Sequence, residues 1–178
     1  MRLKILRNRS IIILRFRSIL CLEDNTMENN MIKKLETINQ VCDMIDDIYY
    51  QYASTFGITD TELCILYALN EHDGEYLQSD ICRDWYCSLQ TIHTTIKNME
   101  KKGMITLLCQ EGNKKNKYIH LTATGKQLID SIMVPLVKAE EEAFGMLTVQ
   151  EQDILRPLLQ KYANALNTTI GKITRKAE

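Results

Sequence analysis

With only 7 Gly and 2 Pro in 178 residues, and apolar side chains recurring at alternating spacings of three and four, the sequence predicts a mainly α fold. Inside it, an apolar-faced helix closing on glycine, Thr91 to Gly103, is followed by a strand-like Met104 to Leu108, a charged tip from Gly112 to Lys117, and a second strand-like run from Tyr118 to Gly125. Such a helix, followed by a two-stranded ribbon with lysines at its tip, predicts a winged helix-turn-helix. Long N- and C-terminal helices on either side are expected to form a dimerisation region. The 45% hydrophobic content suffices for a core and the 25% charged fraction is ordinary, which excludes a disordered chain.

Four segments follow from these patterns: an N-terminal extension (1–26), a dimerisation helix (27–57), the winged helix-turn-helix (58–122) and C-terminal dimerisation helices (123–178). The first is basic, but Arg15 and Arg17 interrupt its apolar run after Ile11 to Leu14. That run is too short for a secretory core and too charged for a membrane span, so the expectation is a poorly ordered extension ahead of a working chain that starts near Met27. A helix lying on a membrane surface is the alternative for this segment.

From Met31 the pattern is regular. Met31, Leu35, Ile38, Cys42, Ile45, Tyr49, Tyr52 and Phe56 line one helical stripe, widened by Ile32, Val41 and Ile48. A face so broad needs a partner surface, which points to a homodimer, although packing within one subunit fits the same residues. Gly57 is expected to end that helix, and Thr59 with Glu62 makes a capping box that starts the next, with Leu63, Leu66, Tyr67 and Leu69 on its buried side. A turn at Asp73 and Gly74 precedes a short helix over Leu77 to Trp85, where Ile81, Cys82 and Trp85 can face the core.

Ser88 is a good N-cap for the helix that follows. There Ile92, Ile96 and Met99 form the buried row, leaving Gln90, His93, Thr94, Lys97 and Lys101 on other faces as candidates for DNA. Gln suits an adenine edge, Thr a thymine methyl or a phosphate, and lysines suit phosphates. In the ribbon, Ile105, Leu107, Ile119 and Leu121 alternate inward, Gly112 and Asn113 supply turn chemistry, and Lys114, Lys115 and Lys117 crowd the tip, where a cation can enter a narrow minor groove.

The net charge of −1 argues against nucleic acid only until it is divided along the chain. Residues 27–75 hold two Lys/Arg against ten Asp/Glu, whereas residues 76–121 hold seven against four. Phosphate binding needs local positive charge, and acidic flanks repel DNA from the wrong faces.

Six cysteines, at 21, 42, 64, 82, 87 and 109, are spread through apolar helical patterns, so reduced thiols in a cytoplasm are expected rather than disulfides. Cys82, Cys87 and His93 form no CxxC-type pair, and no metal is expected. The chain has no glycine-rich phosphate loop, no nucleophile elbow and no histidine pair with metal spacing, since His72, His93 and His120 lie far apart. Neither enzymatic activity nor a cofactor is expected.

From Ile58 to Lys126 the sequence resembles the multiple-antibiotic-resistance repressor (MarR) family of winged-helix regulators. The helix end reads MEKKGMI, matching the family's leucine-glutamate, lysine-rich, glycine segment. The family's wing carries Asp and Arg where this chain has Asn113 and Lys115, a change that loses a salt bridge and a planar fork. Thr122 to Gly125 resembles the opening of the family's fifth helix, and Leu147 to Leu166 its last, with Thr148 and Glu151 as a second capping box. Pro135 and Pro157 fall inside these helices and predict kinks there.

The resemblance implies a homodimer on a pseudo-palindromic site in double-stranded DNA, released by a small aromatic or lipophilic effector in the crevice beside the dimer helices. Tyr49, Tyr52, Phe56 and Tyr67 are the candidates to line that crevice, and they fit equally as core aromatics. Some relatives sense oxidants through a cysteine near the dimer helix, where Cys42 lies; a cysteine-based redox regulator is therefore one alternative reading, and a winged-helix adaptor without DNA binding is another.

Overall fold

The computed structural model describes residues 26–72, 75–85, 88–110 and 113–175, with side chains throughout except at 26–29, 82, 84–85, 110 and 113–116. Its elements run α1 (Thr26–Thr55), α2 (Asp60–Glu71), β1 (Glu75–Leu77), α3 (Gln78–Trp85), α4 (Leu89–Lys101), β2 (Ile105–Gln110), β3 (Asn113–Leu121), α5 (Ala123–Gly145) and α6 (Val149–Thr174). Residues 1–25 of the N-terminal extension, the expected turn at Asp73–Gly74, Cys87 and Gly112, and the side chains of Cys82 and Trp85 lie outside the described residues. The chain divides between Met133 and Val134 into two compact units.

In the first unit α2 is the central element. Thr59 Oγ accepts from the Glu62 backbone N–H at 3.2 Å and Glu62 Oε2 accepts from the Thr59 N–H at 2.8 Å, the expected capping box. Eight of its 12 residues are buried, Leu63, Leu66, Tyr67 and Leu69 among them, and α1, α3, α4, β1 and β3 all pack against it. Each aliphatic side chain so buried contributes about 1.5–3 kcal/mol.

Two glycines set the ends of the flanking helices. Gly57 (φ 66°) and Gly103 (φ 70°) adopt left-handed backbone, which costs glycine nothing. After α4 the Gly103 N–H donates to Glu100 O and the Met104 N–H to Met99 O, a Schellman closure that hands the chain into β2. The Ala53 to Ile58 segment closes α1 with the same pair of bonds, through Gly57 and Ile58.

The expected two-stranded ribbon is a three-stranded sheet of order β1-β3-β2. β1 pairs antiparallel with the far edge of β3, Tyr76 opposite Ile119. Three residues are too few to show alternation, which is why the sequence hid this strand inside a turn and a helix start. Between β2 and β3, Ile105 faces Leu121 and Leu107 faces Ile119, as the alternation required. Ile105 and Ile119 are buried, Leu107 and Leu121 half-buried.

Thr122 ties this sheet to α5. Its Oγ accepts from the Gly125 N–H at 2.9 Å and donates to Gly103 O at 2.6 Å. Gly125 passes so close that a Cβ built on it would lie 1.8 Å from Met104 O, so no larger residue fits without moving backbone.

In the second unit, α6 starts on the second expected capping box, Thr148 with Glu151, and buries none of its residues. Pro135 and Pro157 lie within α5 and α6, neither of which is interrupted. Among the described residues no helix is long and apolar enough to cross a membrane.

Candidate nucleic-acid interface

α4 is divided lengthwise. Ile92, Ile96 and Met99 are fully buried, while Gln90, His93, Thr94, Lys97 and Lys101 are exposed. Ser88 caps it, its Oγ accepting from the Thr91 N–H at 3.1 Å and lying 2.6 Å from Thr91 Oγ. The Ser88 hydroxyl is thus occupied in starting the helix, and its contribution to an interface is to fix where the first turn points.

The threonines are similarly engaged. Thr94 Oγ donates to Gln90 O at 2.9 Å and Thr95 Oγ to Thr91 O at 2.9 Å. With its proton used on its own helix, Thr94 presents a methyl and an acceptor outward, which favours a thymine methyl over a phosphate oxygen. Lys97 and Lys101 stand on the same exposed side and suit phosphates.

Sequence reasoning missed two residues at this surface. Leu89 continues the spacing of Ile92, Ile96 and Met99, yet is 69% exposed. No periodicity argument separates it from the buried row. Gln78, half-buried in the first turn of α3, puts its Nε2 3.3 Å from His93 Nδ1. A polar residue at the start of the preceding helix was the available signal, but its partner is set by how the two helices cross.

The base of α4 is fixed by an ion pair. Lys102 Nζ lies 2.7 Å from Glu62 Oε1, and the Glu62 carboxylate is nearly inaccessible while it also caps α2. The recognition helix and the start of the wing are thereby fastened to the central helix. Thr59, Glu62, Thr95, Asn98, Lys101 and Lys102 surround an open hollow of about 310 Å³ beside this junction.

In the wing, the ladder runs regularly to Cys109 opposite Lys117, then shifts so that Gln110 pairs with Asn113. Lys114, Lys115 and Asn116 therefore fall at a register shift in β3, and a bulge of this kind bends a strand. The side chains of Asn113, Lys114 and Lys115 lie outside the described ones; Lys117 is exposed.

The aromatic candidates for an effector crevice lie on α1, just after it, and on α2, two helices that pack together. Tyr67 is a buried residue of α2. Tyr52 and Phe56 pack at a tilt with centroids 5.1 Å apart, and Tyr52 OH donates to Ile132 O at 2.6 Å, its pKa raised by burial. Tyr49 is half-buried on α1, and so is Cys42, a free thiol.

A MarR family profile matches residues 56–114, from the end of α1 into β3. Over 116 residues the chain is 31% identical to the HTH-type transcriptional regulator YwaE of Bacillus subtilis (strain 168), covering 65% of this chain and 67% of that one. Two solved structures share its fold: NMB1585, a MarR family regulator from Neisseria meningitidis (TM-score 0.68, 19% identity, 78% of this chain and 97% of that chain), and S. aureus MepR in complex with DNA (0.62, 20%, 74% and 96%). With the profile match falling on the recognition helix and the start of the wing, the chain belongs to the MarR family of DNA-binding, winged helix-turn-helix transcriptional regulators, which are not enzymes.

Proposed function

We propose that the chain acts in the cytoplasm as a homodimer on a pseudo-palindromic operator, each copy laying α4 in a major groove and its wing on the adjacent minor groove, with release governed by a small aromatic or lipophilic effector. The observation that carries this reading is apolar surface left in water. Met31, Leu35, Ile38, Ile45 and Ile48 are exposed along α1, and Ile154, Leu158, Ile170 and Ile173 along α6. Exposed rows of this length mark an interaction face, and a second copy offers the same faces in return. MepR, of the same fold, has been solved on DNA, which supports the docking of α4. Tyr52 and Phe56, paired at the end of α1, are the aromatic surface offered to an effector.

Hydroxyl-radical footprinting on the duplex upstream of the gene tests this. Two protected half-sites about 10 bp apart are expected, with affinity falling steeply as salt rises. Lys115→Ala should weaken binding and make the salt slope shallower by about one. A single protected half-site, or a monomer by sedimentation at concentrations that protect DNA, would overturn the dimeric reading.

A further inference from the structure

The contact between Gln78 and His93 sets what α4 can read. An amide nitrogen only donates, so Gln78 Nε2 at 3.3 Å from His93 Nδ1 requires that Nδ1 carry a lone pair. In the neutral ring the proton then resides on Nε2, on the opposite side of the imidazole. His93 is exposed on the same side of α4 as Gln90, Thr94 and Lys97, whereas Gln78 is half-buried at the start of α3. A ring that would otherwise exchange tautomers is thus held by a neighbouring helix, in the way an outer partner fixes the ring of a metal-bound histidine.

A single fixed N–H donor is selective in the major groove. To such a donor guanine offers two adjacent acceptors, N7 and O6; adenine offers only N7, beside an amino donor; thymine offers only O4, beside its methyl; cytosine offers a donor and no acceptor. We propose that Gln78 is a positioning residue that holds His93 as an Nε2–H donor, and that His93 thereby selects guanine at one position of each half-site. This rests on the docking of α4 in the major groove argued above.

Two measurements test it on the full chain. Long-range ¹H–¹⁵N spectra at neutral pH, with the signals assigned by His93→Gln, should show His93 as the Nε2–H tautomer in the wild type and as an exchanging mixture in Gln78→Leu. An Nδ1–H ring or a mixture in the wild type overturns the proposal. Selection from a random duplex pool should then give a guanine that both Gln78→Leu and His93→Ala lose while preferences elsewhere survive. Placing 7-deazaguanine there should weaken wild-type binding about fivefold and leave His93→Ala unaffected. If the wild type enriches a palindromic site whose profile is unchanged in both variants, the positioning of His93 is overturned and the docking stands. If the wild type enriches no sequence although the tautomer is held, the docking itself fails and the guanine assignment with it.

Discussion

Two helices of this chain begin with the same device, Thr-x-x-Glu, and use it differently. At Thr59–Glu62 the glutamate is 2% exposed, accepts the backbone N–H of Thr59 and pairs with Lys102 from the end of the recognition helix. At Thr148–Glu151 the glutamate accepts from the Thr148 N–H and hydroxyl, both at 2.8 Å, and stands in water. The reciprocal capping bonds are the same; the surroundings decide whether a cap is also a tertiary fastener. The contrast extends along the helices that follow, since α2 buries eight residues and α6 buries none. One region is closed by its own chain, and the other has its apolar side chains still to cover.

The largest expected effect breaks the fastened box. Lys102→Met leaves a carboxylate with almost no access to water and no cation. Removing one partner of a fully buried pair costs about 3–5 kcal/mol, but the Lys102 side chain is itself 45% exposed, so we expect about 2 kcal/mol. Urea midpoints at fixed protein concentration measure it. Glu62→Gln in the same background should recover part of the loss, because an amide at that position still caps α2 without a charge to strand. An unchanged midpoint would make the two boxes equivalent and remove the ion pair from the account of how α4 is held.

What the sequence disclosed follows the same division. Both capping boxes, the glycine exits at Gly57 and Gly103, the buried row of α4 and the inward residues of the wing were legible because each is written in spacings of four residues or fewer. β1 was not, since three residues carry no period and its pairing with β3 joins positions some 43 apart in sequence, Tyr76 with Ile119. Lys102 was legible as a basic residue near a helix end, but not as the partner of Glu62, 40 residues away. The Gln78–His93 contact was hidden for the same reason: it depends on where α3 crosses α4, and no one-dimensional pattern encodes a crossing.

A second expected effect concerns the open region. Leu158 is exposed on α6, and if the second copy covers that row, Leu158→Glu places a charge inside an interface. Dimer dissociation should rise at least about tenfold by sedimentation equilibrium, with the helix content of the isolated protomer retained. The same substitution with no change in association would show that α6 is covered by something other than its twin, and would confine the dimer reading to α1.

The smallest effect sharpens the comparison of the boxes themselves. The backbone N–H of Thr148, and after it the Thr148 hydroxyl, hold the Glu151 carboxyl below its ordinary value. A depressed carboxyl contributes stability that is complete above its unfolded pKa and is lost as pH falls through the folded one. The thermal midpoint of the wild type should therefore exceed that of Glu151→Gln at neutral pH, with the gap closing once the pH drops below the usual carboxylate range. Full exposure keeps the gap small, since water competes for every bond the carboxylate makes. No gap at any pH would assign the cap to the Thr148 hydroxyl alone, and the charge on Glu151 would then matter less to α6 than the charge on Glu62 does to α2.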